Sequence, residues 1–232
     1  MKGNMQPETI VMSVGGSLIV PDSIDIDFLK SLRSLLEEEK DKRFIIIAGG
    51  GRTARRYQDA ADATHTLDKE DLDWIGIHST RLNGQLLRTI LKDIAHRVVI
   101  TNPDEILDVP QDARIIIAAG YRPGASTDLR AIQIAERVGA SKVINLSNID
   151  YVYTADPRKN PEATPIKEIT WTEFRKLIPD EWDPGLSSPF DPIAAREAET
   201  KNIEVACING AKIEELKKYL SNTEFIGTRI HS

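Results

Sequence analysis

The sequence predicts an α/β protein built on a mainly parallel sheet. Apolar runs of four to six residues alternate with amphipathic helical stretches. Ile115 to Ala119, a helix from about Asp128 to Val138 and a strand from Lys142 to Leu146 form a βαβ unit, which makes the two strands parallel. The strands ending at Val14, Ala48 and Ala119 all run straight into glycine-containing turns, so the loops leave from the carboxyl edge of the sheet, where ligands of open α/β sheets bind.

The 232 residues suit one larger α/β domain or two small ones; one continuous domain over residues 1–232 is expected, with residues 1–8 as a loose leader. The net charge of −6 comes from acids and bases mixed along the chain, and no basic run suited to a nucleic-acid backbone occurs. The lone Cys207 lies in the apolar run Ile203 to Ile208, reads as a buried thiol, and makes no internal disulfide. No apolar run approaches the roughly 20 residues that span a bilayer, and the first ten residues lack the hydrophobic centre of a signal peptide, so no membrane partner and a cytoplasmic location are expected.

Thr9 to Val14 reads as a buried strand leading into Gly15-Gly16-Ser17, which is either an ordinary tight turn or a turn whose free N–H groups receive a phosphate. Asp25 to Glu39 carries Ile26, Leu29, Leu32, Leu35 and Leu36 on one helical face. Phe44 to Ala48 is a second buried strand, followed by Gly49-Gly50-Gly51-Arg52-Thr53-Ala54-Arg55. Arginines in the first turns of a helix oppose the macrodipole preference, and an anion bound there offsets that cost. The spacing is neither a P-loop nor a Rossmann fingerprint. Leu72 to Ile94 is a long helix with Ile75, Leu82, Leu86 and Leu87 as apolar positions and Asp73 at its start, as a cap or a ligand carboxylate. Gly76 and Gly84 mark close approach of a ligand or of another helix. A third strand is predicted at Arg97 to Ile100, then a helical turn near Pro103 to Leu107.

The loop Tyr121-Arg122-Pro123-Gly124-Ala125-Ser126-Thr127 has two hydroxyls suited to cap the helix that Asp128 opens. Capping leaves Arg122 unexplained, and a small anion held by Arg122, the hydroxyls and the helix end is the sharper reading. Ser147 to Asp156 holds Asp150, Tyr151, Tyr153 and Asp156, with Arg158 and Lys159 following, a composition that suits a magnesium nucleotide or an ordinary polar surface. Thr170-Trp171-Thr172-Glu173 is a capping box, and Asp191-Pro192 starts another helix. Ile203 to Ile208 is a buried strand, Ile213 to Leu220 a helix, and Phe225 to Ile230, with Gly227-Thr228, a last strand.

In this order, Gly15-Gly16-Ser17, Gly49-Gly50-Gly51 with Arg55, Asp73-x-x-Gly76, Pro123-Gly124 with Ser126-Thr127-Asp128, Asn148 to Pro157, Ser187-Ser188 with Asp191-Pro192, and Gly227-Thr228 resemble the amino-acid kinase superfamily, and within it the archaeal-type uridine monophosphate kinases. The resemblance covers about Val11 to Ile230. It implies a three-layer αβα sandwich around a mainly parallel sheet of about eight strands, and transfer of the γ-phosphoryl group of ATP to UMP with Mg²⁺ held mainly by the nucleotide phosphates. By position, Gly15, Gly16, Ser17, Gly51 and Arg55 would hold the ATP phosphates, and Ser147, Tyr153 and Asp156 its ribose and base. Gly50, Asp73 and the loop of Tyr121, Arg122, Pro123, Gly124, Ala125, Ser126 and Thr127 would hold UMP. Asp128, Asp191, Lys159 and Arg55 would serve catalysis, and a homo-oligomer, a hexamer in the family, is expected. The chain departs from the pattern at Ser13, where many members carry lysine, at Tyr151, and at Arg122 and Ala125. Two rival readings keep the fold: a kinase for another small phosphate, carboxylate or carbamate, or a nucleotide-binding subunit without turnover.

Overall fold

A computed structural model of the protein describes residues 7–181 and 188–232. Glu8–Val14 (β1) leads through the short helix Gly16–Ile19 (α1) to Ile26–Glu38 (α2), then Lys42–Ala48 (β2), Gly51–Thr64 (α3) and Lys69–Ile90 (α4). A 3-10 turn at Pro103–Asp108 precedes Ile115–Ala118 (β3), Thr127–Val138 (α5) and Lys142–Ser147 (β4). The hairpin Val152–Tyr153 (β5) and Pro165–Ile166 (β6) follows, then Glu168–Thr170 (β7), Trp171–Phe174 (α6), Pro192–Thr200 (α7), Glu204–Asn209 (β8), Ile213–Leu220 (α8) and Thr228–His231 (β9).

Seven strands form one sheet in the order β3-β2-β1-β4-β8-β9-β7, parallel at every step except β8 against β9. The count is close to the expected eight. The apolar runs are continuous because both sheet faces are covered. Side chains alternate across the sheet: Val11, Ile45, Ile47, Ile116 and Val143 pack with α5 and α7, while Ile10, Met12, Phe44, Ile46 and Ile144 pack with α2, α4 and α8. Those are the three layers. From β1 the sheet grows one way through β2 and β3 and the other way through β4 and β8, which puts the topological switch between β1 and β4.

Three local expectations change. Arg97 to Ile100 forms no strand; the segment meets β3 through isolated bridges at Ala95–Ile115 and Ile100–Ala118. It runs along the outer edge of β3 with Arg97 and Val98 exposed, so one side of it is never covered by a layer. Asp68, not Asp73, caps α4, accepting from the Asp71 N–H at 2.9 Å. Leu82 is 63% exposed, because the buried stripe of α4 runs through Ser79, Thr80, Asn83, Gly84 and Leu87.

The N-cap half of the capping box forms, with Thr170 Oγ1 accepting from the Glu173 N–H, while the Glu173 carboxylate meets the Thr170 hydroxyl rather than its backbone N–H. It seats Trp171, which is 1% exposed, packs edge-on to Phe174 and donates its indole N–H to the Ile203 carbonyl at 3.0 Å. Trp171→Phe keeps an aromatic ring and strands that carbonyl, at a cost of about 1–3 kcal/mol. Thermal denaturation should show a Tm lower by about 2–10 °C, and an unchanged Tm would remove the hydrogen bond from the stabilising set.

Candidate active site

The carboxyl ends of β1, β2 and β4 lie side by side, with Val14 in register with both Ala48 and Leu146. The first glycine turn sits at the switch point, where Gly15 donates to the Leu146 carbonyl at 2.8 Å. A Cβ on Gly16 would lie 1.9 Å from the Gly51 nitrogen, and one on Gly51 would lie 2.2 Å from the Gly16 carbonyl oxygen. Gly51 also has φ +66°, which favours glycine. Two turns from different strands therefore pack backbone against backbone. Ser17 lies half-buried in the first turn of α1 beside them.

Gly50 caps α3, and a Cβ there would stand 2.8 Å from Ala54 Cβ and 3.4 Å from the Gly76 carbonyl. Asn83 holds this second turn from α4, its Nδ2 donating to the Gly49 and Gly50 carbonyls at 2.7 and 3.1 Å. Gly84 faces Val99, Ile117 and Ala119, so it serves packing of α4 on the sheet. Arg52 and Arg56 reach Asp22, at 4.0 and 2.6 Å. Arg55 is exposed and has no ion pair or hydrogen bond among the described residues.

Asp128 links three elements at the other sheet face. Ser13 Oγ, 1% exposed at the end of β1, donates to Asp128 Oδ1 at 2.9 Å, and the Asp191 N–H donates to Oδ2 at 3.3 Å. Asp191 also caps α7, its Oδ1 accepting from the Ala194 N–H at 2.7 Å. The cap reading of Asp191 is realised by that bond. Asp191 Oδ2 and Ser147 Oγ are buried without a hydrogen-bond partner among the described residues, the state in which a polar atom can receive a ligand or solvent. Ser147 ends β4, its Cα 3.7 Å from where a Gly15 Cβ would stand. Of the Ser187-Ser188 pair, Ser187 lies outside the described residues; Ser188 Oγ donates to the Phe190 carbonyl at 2.7 Å. Burial, offset by the Ser13 hydrogen bond and reinforced by Asp191, pushes the Asp128 carboxyl up to about 6. Burial also pushes the Cys207 thiol up, leaving it unreactive.

The loop from Gly120 to Thr127 is gripped from α4. Asp73 Oδ2 accepts from the Gly124 N–H at 3.0 Å, so Asp73 is a bridge to that loop rather than a cap. Arg122 is exposed and lies 5.4 Å from the Tyr121 ring centre, while Pro123 and Ala125 are half-buried. Ser126 caps α5 by accepting from the Leu129 N–H at 3.1 Å, and Thr127 opens that helix.

The hairpin stands apart in its bonding. Tyr153 meets Tyr151 edge-on at 6.4 Å, and Asp156 is taken by Arg158 through two contacts of 3.0 Å, which holds its carboxyl below the usual range. Lys159 is exposed, its backbone N–H donating to the Asp156 carbonyl. Asp150 accepts from Asn209 at 2.7 Å and Lys212 at 2.8 Å, and those bonds hold it below the usual range too. Thr228 anchors the hairpin, accepting from the Val152 N–H at 2.8 Å and donating to the Ile166 carbonyl. Gly227-Thr228 is thus a structural clasp.

Residues 8–209 match the amino acid kinase family. The chain belongs to that family. The uridylate kinase of Methanospirillum hungatei is 34% identical over 224 residues, spanning 96% of this chain and 94% of that one. That of Thermococcus kodakarensis is 36% identical over 189 residues, 81% of this chain and 84% of the relative. Among solved structures, the uridylate kinase of Archaeoglobus fulgidus superposes with a TM-score of 0.80 at 27% identity, covering 95% of this chain and 99% of that chain. The UMP kinase of Ureaplasma parvum, 20% identical with a TM-score of 0.81 over 98% of this chain, shares the fold.

In this amino acid kinase the glycine turns, Ser147, Asp128 and Asp191 meet at one edge, with the loop of Asp73 and Tyr121 to Thr127 beside them. Sequence reasoning missed Asn83, Thr80, Arg81 and Arg130. Their signal was present for Asn83: a polar residue four positions from both Ser79 and Leu87 on the buried stripe of a helix.

An acid whose pKa rises from 3.8 to about 6 on folding binds more protons folded than unfolded between those values, so stability falls as pH rises through that window and stays lower above it. The loss is at most about 3 kcal/mol, and less where solvent reaches the carboxyl. Asparagine fits the same bonds, its oxygen facing the Asp191 N–H and its amide facing Ser13 Oγ, which can accept. Asp128→Asn should therefore raise the unfolding free energy in urea at pH 7 by about 1–3 kcal/mol, with most of the gain gone by pH 4. Equal effects at the two pH values would contradict the assignment.

Proposed function

We propose that this protein is a UMP kinase that transfers the γ-phosphoryl group of ATP to UMP, giving UDP and ADP. The backbone contact of Gly16 with Gly51 carries the reading, because it places the free N–H groups of two turns at one point. The similarity to uridylate kinases over 96% of the chain supports the choice of acceptor. On this reading Gly15, Gly16, Ser17, Gly51 and Arg55 hold the ATP phosphates, with Ser147, Tyr153 and Asp156 toward its ribose and base. Gly50, Asp73 and residues 121–127 hold UMP. For Asp156 the role requires its Arg158 pair to open or to turn a backbone group toward the nucleotide.

A phosphate oxygen of UMP forms the new bond to the γ-phosphorus while the bond to the oxygen bridging to ADP breaks, and the electron pair leaves with ADP. UMP carries a phosphate with a second pKa of about 6, so it is already a nucleophile at neutral pH and needs no general base. The protein's work is positioning and neutralisation, from glycine N–H groups, Arg55 and Lys159. Asp128 and Asp191 fix the starts of α5 and α7 against β1.

Mg²⁺, when bound with ATP, neutralises charge on the β- and γ-phosphates. Among the described residues no three His, Cys, Asp or Glu side chains converge, and Asp150 and Asp156 are already paired. That donor set fits an ion held mainly by substrate phosphates and water.

We also propose that the chain acts as one domain, in the cytoplasm, and as a homo-oligomer of the hexameric type. The continuous seven-stranded sheet supports the first. Among the described residues no helix is long and apolar enough to cross a membrane. For assembly the support is a patch of exposed Tyr57, Trp74 and Leu82 on α3 and α4.

A coupled assay of ADP release should give turnover with UMP and far less with CMP, acetylglutamate, isopentenyl phosphate or carbamate. Tight ATP binding without ADP release for any acceptor would overturn the activity. Arg55→Ala and Asp73→Asn should each lower kcat/KM for UMP at least about tenfold, or about 1.4 kcal/mol. A variant with wild-type kinetics would take its residue out of the site.

A further inference from the structure

Arg81 has no carboxylate partner within ion-pair distance among the described residues. Its guanidinium instead donates through Nε to the Gly120 carbonyl at 3.0 Å and through an Nη to the Tyr121 carbonyl at 2.9 Å. The next carbonyl, of Arg122, accepts from Arg130 at 3.3 Å; Arg130 is 7% exposed, stands 5.6 Å from the Tyr121 ring centre and holds Gln133 with its other Nη. Thr80, the neighbour of Arg81, accepts from the Gly120 N–H at 2.8 Å. Three consecutive carbonyls are thus tied to two arginines, one from α4 and one from α5.

Among the described residues there are no cis peptide bonds, and in a trans peptide the N–H points opposite to the carbonyl it follows. Pulling the Gly120 and Tyr121 carbonyls onto Arg81 therefore turns the N–H groups of Tyr121 and Arg122 to the other side. Neither N–H has a hydrogen-bond partner among the described residues. Two successive free N–H groups beside the exposed Arg122 side chain form an anion-seeking concavity.

We propose that Arg81 is the positioning residue for the acceptor: by gripping two carbonyls it presents the Tyr121 and Arg122 N–H groups to an anionic group of the substrate. This rests on the UMP kinase reading above. Arg81 acts through the loop backbone, so its effect belongs to acceptor binding. ATP, whose proposed contacts lie on the two glycine turns, Arg55, the end of β4 and the hairpin, should not sense it. Lysine cannot replace it, since one ammonium lacks the planar fork that spans both carbonyls.

The test is calorimetric UMP binding, together with steady-state kinetics, on the full chain of wild type, Arg81→Lys and Arg81→Ala. The expected result is a Kd and KM for UMP at least about tenfold higher in both variants, with KM for ATP changed less than about twofold. Added guanidinium ion at millimolar concentration should restore part of the UMP affinity of Arg81→Ala and none of that of Arg81→Lys. Unchanged UMP affinity in Arg81→Lys would overturn the proposal. So would KM values for UMP and ATP that rise together with a lowered Tm and no rescue, the pattern of a purely structural residue. Wild-type protein that binds UMP without phosphorylating it would overturn the activity and leave Arg81 to be judged on Kd, whereas wild-type protein that binds no UMP would overturn both.

Discussion

The approach of Gly16 to Gly51 is the constraint on which the site depends. A methyl group on either residue would lie within 1.9–2.2 Å of main-chain atoms of the other, and main chain cannot swing aside as a side chain can. The contact sets the spacing of the β1 and β2 turns and keeps their N–H groups clear of side chains. It is possible because β1 and β2 are adjacent, parallel and in register to their last residues, Val14 and Ala48. A shift of register by one residue would reverse every buried side chain of β2 between the two cores, so the apolar pattern of the strands holds the glycines in place from a distance.

On the opposite sheet face the same edge carries a carboxyl that costs stability. Ser13 is the polar member of an otherwise apolar buried run, and its hydroxyl is satisfied by Asp128 alone among the described residues. Removing the carboxyl's water without supplying a cation leaves its ionised form unfavourable, which is why burial dominates its shift. The arrangement makes sense as a joint: one side chain binds the end of β1, the start of α5 and the start of α7, so the three elements cannot drift apart. A protein selected for stability alone would have a neutral group there.

What could be read from the sequence follows from which signals are local. Glycine runs at strand ends, Ser126 and Thr170 as caps and the βαβ unit are set by local sequence, and all form as expected. Asp73 looked like a cap because it is an acid near a helix start, but Asp68 takes that role and Asp73 reaches Gly124, 51 residues away. Arg81 and Arg130 escape a sequence reading for the same reason. Their partners are carbonyl groups, which every residue has, so no residue type marks them. The hairpin acids Asp150 and Asp156 were legible as a polar cluster, yet the partners that neutralise them, Lys212 and Arg158, lie one far along the chain and one adjacent.

The loop contacts of α4 have a further consequence for specificity. Asp73, Thr80, Arg81 and Asn83 touch main-chain atoms of Gly124, Gly120, Tyr121, Gly49 and Gly50. A helix rises about 1.5 Å per residue, so Asp73 and Asn83 are held about 15 Å apart on one rigid rod that spans both the glycine turn and the loop. Because the rod grips backbone, the side chains at Arg122 and Ala125 can differ from those of related kinases without moving either turn. Loop position and loop chemistry are thereby separated: α4 fixes where the loop backbone sits, and the side chains of the loop remain free to vary.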